Sequence, residues 1–238
     1  MTEIDVDIVE DEETLRLWAA VGELVGQLPG RWVLIGGLMV QLHAIEHGIA
    51  TARATVDIDV LGEARPPGAL GSIDAALRKH GFELVGPDLD GYAHRYERDG
   101  LVIDVLAPDG IKPPASLGKG VKAVGVPGGS QALSRSELVT VVVDGRRFEL
   151  RRPTLLGAVL IKTRSLMVHS DPEAQREDLL RLLALIEDPR AMSADLRKTE
   201  RRWLRQAEER LDMTGASPLD AATTQRAVLA YRLLVADE

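Results

Sequence analysis

The sequence contains no cysteine among its 238 residues. This absence excludes disulfide bonds, thiolate metal sites and cysteine nucleophiles. No apolar run approaches the roughly eighteen residues that a membrane-spanning helix needs. The first thirteen residues, MTEIDVDIVEDEE, are acidic and lack the basic segment that opens a secretory signal. We therefore expect a cytoplasmic protein.

The composition is that of an ordinary globular protein, with 45% hydrophobic and 28% charged residues. The length suits one large domain or two small ones. A formal net charge of −8 argues against non-specific nucleic-acid binding over the whole surface. It still allows a local basic patch.

The stretch from Trp32 to Val60 carries the strongest pattern in the chain. Its first four residues are apolar and predict a buried strand, and Gly36 and Gly37 then lead into an apolar-periodic segment that predicts a helix. Such a helix start presents free backbone N–H groups, to which an anion such as a triphosphate can bind.

The same stretch ends in a strict alternation of apolar and acidic residues, Val56-Asp57-Ile58-Asp59-Val60. The period of two places Asp57 and Asp59 on one face of a predicted strand. Two carboxylates spaced in this way can converge on one hard cation. A tight turn followed by a solvated strand face is the alternative.

A third carboxylate, Asp104, lies in the predicted strand Leu101–Leu106, which is apolar on both faces and therefore belongs in the middle of a sheet. An ionised carboxylate there costs several kcal/mol unless it is paired or bound to metal. A cation shared with Asp57 and Asp59 would explain it. A position at the mouth of the strand, facing solvent or an amide, is the alternative.

The arrangement of Gly36-Gly37, a helix and then Arg53-x-Thr55-x-Asp57-Ile58-Asp59 resembles the signature of the DNA polymerase β-like nucleotidyltransferase superfamily. The Gly-Gly form resembles the AbiEii-type nucleotidyltransferase toxins more than the members with Gly-Ser. We therefore expect an α+β fold, in which a nucleotidyltransferase-like mixed β-sheet with flanking helices precedes a C-terminal helical bundle. The expected domains are residues 1–152 and 153–238.

The resemblance implies transfer of a nucleoside monophosphate from an NTP to an acceptor, with Mg²⁺ or Mn²⁺ as cofactor. It implies that Asp57, Asp59 and Asp104 are the catalytic residues and the metal ligands, with Asp104 also helping to activate the acceptor hydroxyl. The residues expected to bind the nucleotide are Gly36, Gly37, Arg53, Thr55 and Lys162. Position 37 lacks the serine hydroxyl that many superfamily members offer to the phosphate.

Several charged residues outside this core remain open to two interpretations. Lys162 is either the triphosphate-neutralising lysine of the family or a lysine whose stem packs on an amphipathic helix. Arg176 and Asp178 resemble a basic-x-Asp element of the AbiEii-type helical region, and a solvated helix face is the alternative. We expect His94 and Arg95 to be an exposed alternating pair without a catalytic role.

A basic stripe lies on a predicted helix from Leu196 to Leu211, with positive residues four apart. It could bind RNA phosphates, but a surface of ion pairs is the interpretation we favour. Residues 107–133, rich in Gly, Pro and Lys, predict a long loop. Asp144-Gly145 predicts the turn of a β-hairpin.

The leading functional hypothesis is an AbiEii-like toxin that modifies RNA such as tRNA and has a cognate antitoxin. The alternatives are a nucleotidyltransferase acting on a small molecule or a protein, and a catalytically silent nucleotide-binding module. The presence of all three Asp residues favours an enzyme.

Overall fold

The structure, a computed structural model, describes residues 3–7, 9, 11–29, 31–49, 54–64, 70–118, 120–168, 172–211 and 219–236. The chain divides into two compact units, residues 1–153 and 154–238. The predicted nucleotide contact Arg53 lies outside the described residues.

The first unit contains four helices and three sheets within its described part. Its helices are α1 (Glu12–Val25), α2 (Gly36–Glu46), α3 (Leu70–Lys79) and α4 (Gly129–Ser134). Its strands are β1 (Glu3–Asp5), β2 (Trp32–Ile35), β3 (Ile58–Gly62), β4 (Glu83–Leu84), β5 (Tyr92–Ala93), β6 (Arg95–Arg98), β7 (Leu101–Pro108), β8 (Ser116–Gly118), β9 (Val121–Ala123), β10 (Gly125–Val126), β11 (Ser136–Val143) and β12 (Arg146–Pro153).

The central sheet is mixed, with the strand order β2-β3-β7-β6-β4, and β10 also pairs with β7. β3 and β7 run parallel, whereas β2 is antiparallel to β3 and β6 is antiparallel to β7. As the sequence predicted, the strand that carries Asp104 lies in the middle of a sheet. Ile58, Val60, Ile103 and Val105 pack into the hydrophobic core on one face, so the alternate residues of β3 and β7 point to the other face.

A second sheet is formed by β1, β11 and β12, with β1 at its edge. β11 and β12 form the predicted hairpin, whose turn residues Asp144 and Gly145 have positive φ angles of 47° and 70°. Both central residues of a type I′ turn need positive φ, which explains the Asp-Gly sequence. The predicted loop over 107–133 is wrong in part, because its described residues include β8, β9, β10 and α4.

Two helices of the first unit illustrate how the local sequence sets their ends. The Asp11 side chain accepts a hydrogen bond from the Thr14 backbone N–H and so caps α1. Helix α2 is buried along most of its length, from Gly37 to Ala44, which agrees with its almost continuous apolar sequence. Within α1, the buried Trp18 indole donates a hydrogen bond to Gln41 of α2.

The second unit is helical throughout its described residues. Its helices are α5 (Leu155–Val168), α6 (Pro172–Ala184), α7 (Pro189–Ala194), α8 (Lys198–Gln206), α9 (Glu208–Leu211) and α10 (Ala221–Val235). The predicted helix over 196–211 is therefore two helices, divided at Ala207. No helix in the described part of the chain is long and apolar enough to cross a membrane.

Candidate active site

Gly36 begins α2 in a conformation and an environment that only glycine accepts. Its φ angle is +74°, in the left-handed region. A Cβ at this position would stand 1.8 Å from Oδ2 of Asp59. The Asp59 carboxylate therefore packs directly on the Gly36 backbone at the start of the helix.

Gly37 makes a similar close approach to the segment that precedes β3. A Cβ there would stand 2.6 Å from the hydroxyl oxygen of Thr55. Thr55 is buried, and its hydroxyl lies 3.4 Å from Oδ1 of Asp57. No side chain caps α2, because Ile35 occupies the N-cap position. The two glycines thus bring the helix start, Thr55 and the acidic residues together.

A row of charged residues crosses three adjacent strands of the central sheet. Asp59 of β3 is the register partner of Asp104 of β7, and Asp104 is in turn the partner of Arg95 of β6. Register partners point to the same face of a sheet. The row therefore lies on the face opposite the hydrophobic core, and Asp104 stands between an acidic and a basic neighbour.

The Arg95 guanidinium binds Asp104 through two parallel hydrogen bonds. Nε donates to Oδ1 at 2.9 Å, and an η nitrogen donates to Oδ2 at 2.8 Å. The same η nitrogen lies 3.6 Å from Oδ2 of Asp57. The hydrogen bond to Asp104 raises the pKa of Arg95, and the charges of Asp104 and Asp57 raise it further.

The Arg95 side chain is 41% exposed, but the predicted exposed pair without a catalytic role did not include its ion pair with Asp104. The hairpin formed by β6 and β7 could have revealed it. Asp99 and Gly100 form its two-residue turn with positive φ angles of 50° and 81°, so Arg98 pairs with Leu101. Counting outward from that pair places Arg95 opposite Asp104. The second member of the predicted pair, His94, has its Nε2 3.8 Å from Oδ2 of Asp104.

The three predicted carboxylates differ in their exposure. The Asp104 side chain is 9% exposed, whereas that of Asp57 is 26% exposed. Asp57 immediately precedes β3 instead of lying within it, and its neighbour Val56 is exposed. The cation that the burial of Asp104 requires is supplied, in this structure, by Arg95.

Lys162 lies on α5 in the helical unit, where it is buried. Its Nζ donates to Oδ2 of Asp178 on α6 at 2.7 Å and to the Gln175 side chain at 3.2 Å. Asp178 and Arg176 are also buried, and Arg176 donates to the backbone carbonyl of Leu211. The solvated helix face offered as an alternative for these two residues is therefore wrong.

Two arginines of the predicted basic stripe bind backbone carbonyls at the end of α10. Arg201 donates to the carbonyls of Leu234 and Ala236, at 2.7 and 3.1 Å, and to the Ser193 hydroxyl. Arg205 donates to the carbonyl of Val235 at 2.8 Å. The last carbonyls of a helix have no partner within it, so these arginines cap α10. The interpretation as a surface of ion pairs did not include these contacts to backbone carbonyls.

The oxygen donors of the site fit a divalent cation only in part. Mg²⁺ is commonly held by one or two carboxylates together with substrate phosphates. Asp57 and Asp59 suit that donor set, but both oxygens of Asp104 accept hydrogen bonds from Arg95. Among the residues that the structure describes, no group of three or more His, Cys, Asp or Glu side chains is arranged to hold a metal ion. The arrangement suits a cation bound by two carboxylates and a substrate.

Comparison with solved structures shows which fold this is. The chain is similar to an antigenic nucleotidyltransferase-like protein from Paracoccidioides brasiliensis, with 12% sequence identity and a TM-score of 0.52 over 92% of this chain and 94% of that chain. A second similar structure is ANT(2")-Ia in complex with adenylyl-2"-tobramycin, at 14% identity and a TM-score of 0.36 over 92% of this chain and 97% of that chain. No family model and no curated protein matches the chain.

The first of these similarities shows a nucleotidyltransferase-like fold. The predicted fold class, a mixed α+β sheet unit followed by helices, is confirmed. The similarity shows the fold alone, and it does not show the AbiEii type.

Proposed function

We propose that the protein is a metal-dependent nucleotidyltransferase that moves a nucleoside monophosphate from an NTP to an acceptor. The observation that carries the proposal is the contact between the Gly36 backbone and the Asp59 carboxylate, with Asp104 directly beside Asp59 in the sheet. This contact supports the proposal, because the helix start would bind phosphate and the carboxylates beside it would bind the cation.

The helix start and its neighbours would bind the triphosphate. Backbone N–H groups at the beginning of a helix attract phosphate, and the absence of a Cβ at Gly36 and Gly37 lets a phosphate approach closely. Thr55, held between Gly37 and Asp57, fixes the position of the segment that carries the first carboxylate. Arg53 is proposed as a further contact on the basis of the sequence resemblance.

Asp57 and Asp59 would hold Mg²⁺ or Mn²⁺; the resemblance also implies Asp104 as a ligand, a role that its two hydrogen bonds from Arg95 oppose. When bound, the cation would neutralise the phosphate charge that develops during transfer. Asp104, oriented by Arg95, would stand next to Asp59 where an acceptor hydroxyl can give up its proton.

Lys162 is proposed as a contact to the nucleotide because the resemblance assigns a lysine to the first helix after the sheet unit. The Lys162 side chain is buried, and the carboxylate of Asp178 neutralises its ammonium group, so this contact rests on the resemblance alone.

RNA, with tRNA as the first candidate, is the proposed acceptor, and an antitoxin the proposed partner. Both rest on the sequence resemblance to AbiEii-type toxins. The arginines of α8 do not add to this proposal, since Arg201 and Arg205 are engaged with α10.

The function is tested by incubating the protein with each α-labelled NTP, Mg²⁺ and, in separate reactions, total RNA, an aminoglycoside mixture or no added acceptor. We expect label on RNA. Label on the small molecules, or on the protein itself, would support the proposed transferase activity and refute RNA as its acceptor.

Asp59→Asn supplies the matched variant, because it keeps the shape of the side chain and removes its charge. Loss of a charged group that acts in the transition state typically costs about 10²–10³ in rate. Circular dichroism should show an intact fold. Full transfer by Asp59→Asn, or no transfer from any NTP by the wild-type protein, would refute the proposal.

A further inference from the structure

The charge balance of the acidic row differs from that of a site built from three carboxylates alone. Asp57, Asp59 and Asp104 carry a formal charge of −3, and the Arg95 guanidinium contributes +1. A guanidinium stays protonated at all physiological pH values, so the positive charge of Arg95 beside Asp104 is permanent.

The geometry of Arg95 opposes direct metal binding by Asp104. A carboxylate that accepts two parallel hydrogen bonds from one guanidinium forms a strong, charge-assisted pair, and a cation that binds the same oxygens must weaken this pair and lie close to a positive group. The η nitrogen that contacts Asp104 is also 3.6 Å from Asp57. The positive group therefore lies between two of the three predicted metal ligands.

We infer that Arg95 competes with divalent cations for Asp104. The site then binds one cation through Asp57 and Asp59, whereas Asp104 serves as the partner of Arg95. Arg95 is thus a positioning residue for Asp104. The inference rests on the proposed function, which supplies the need for a cation, but its test requires no nucleotide transfer.

The test measures Mn²⁺ binding directly, by titrating the full chain and following free Mn²⁺ by electron paramagnetic resonance. In Arg95→Gln, Mn²⁺ no longer competes with a guanidinium for Asp104. We therefore expect either a rise in Mn²⁺ affinity of about tenfold or more, or the binding of a second equivalent of Mn²⁺. Arg95→Lys keeps the charge but loses the two parallel hydrogen bonds, and its gain should be smaller.

The decisive comparison is Asp104→Asn in the two backgrounds. With Arg95 present, Asp104→Asn should change Mn²⁺ affinity little, whereas Asp59→Asn should lower it strongly. In the Arg95→Gln background, Asp104→Asn should abolish the gain. This cycle isolates the interaction between the two residues from effects of either change alone.

Arg98→Gln is the control for net charge. Arg98 lies on the same strand, but its guanidinium stacks on Phe82 and donates to the carbonyl of His80. It should leave Mn²⁺ binding unchanged. Circular dichroism and thermal melting verify that each variant is folded. If Arg95→Gln does not fold, Arg95→Lys replaces it in the comparison.

Three results would overturn the inference. One is an equal loss of Mn²⁺ affinity in Asp104→Asn and Asp59→Asn with Arg95 present. Another is a Mn²⁺ affinity that is the same in Arg95→Gln, Arg95→Lys and the wild-type protein, or that is too weak to measure in all three. The third is an equal gain in Arg98→Gln. A failure of nucleotide transfer alone would count against the proposed function and leave the Mn²⁺ cycle intact.

Discussion

Gly36→Ala tests the close contact on which the site is built. Two costs add at this position. A left-handed backbone costs a residue with a Cβ about 1–2 kcal/mol. The new methyl group, 1.8 Å from Oδ2 of Asp59, must displace the carboxylate or the helix start, and overpacking of this kind costs about 1–3 kcal/mol. We therefore expect Gly36→Ala to reduce the free energy of unfolding by about 2–5 kcal/mol.

The chain offers a matched control at the other end of the same helix. Gly48 has nearly the same φ angle, +71°, but nothing lies within 4 Å of its would-be Cβ. Gly48→Ala should thus cost only the backbone part, about 1–2 kcal/mol. The assay is thermal unfolding followed by tryptophan fluorescence. For a chain of this length 1 kcal/mol corresponds to about 2–4 °C in Tm.

Removal of the Asp59 side chain separates the two costs of Gly36→Ala. Because the Asp59 Cβ itself would lie 2.9 Å from the new methyl group, the background is Asp59→Gly, in which Gly36→Ala should cost no more than Gly48→Ala does in the wild-type protein. The difference is an interaction energy of about 1–3 kcal/mol between Gly36 and Asp59. Equal melting temperatures of the two glycine variants, or no recovery in the Asp59→Gly background, would refute the contact between the helix start and the carboxylate.

Two further predictions concern pH and helix capping. His43 is buried against the carbonyl of Pro153, and burial, with the charge of Arg152, lowers its pKa well below 6.5. The unfolded chain then binds the proton more readily, so stability is lost as pH falls below about 6.5, by at most about 1.4 kcal/mol per pH unit. His43→Gln should flatten the fall in Tm between pH 7 and pH 5, and an unchanged slope would contradict the assignment. Arg201→Ala should destabilise the helical unit by about 1.5–3 kcal/mol because it leaves carbonyls of α10 without their charged donor, whereas the exposed Arg202 on the same helix should tolerate Ala within about 0.5 kcal/mol. Equal effects of the two changes on urea unfolding followed by circular dichroism would show that Arg201 does not cap α10.

Local pattern in the sequence determined the parts of this protein that depend on nearby residues. The apolar run before Gly36 predicted β2, and the periodic segment after it predicted α2. Asp144-Gly145 predicted the β11–β12 hairpin, because a two-residue turn with positive φ fixes the pairing of the strands beside it. The alternation around Asp59 predicted its face of the sheet, since side chains alternate along any strand.

Only the tertiary structure decided which charges from distant parts of the chain meet. Asp59 and Asp104 are 45 positions apart in the sequence and become neighbours through the parallel pairing of β3 with β7, a register that no local pattern specifies. Strands of two or three residues, such as those within 107–133, are too short to show a period. Charged residues look alike in sequence whether they face water or one another, because burial depends on the elements packed around them. For this reason the sequence could not reveal that Lys162 is held by Asp178 or that Arg201 caps α10.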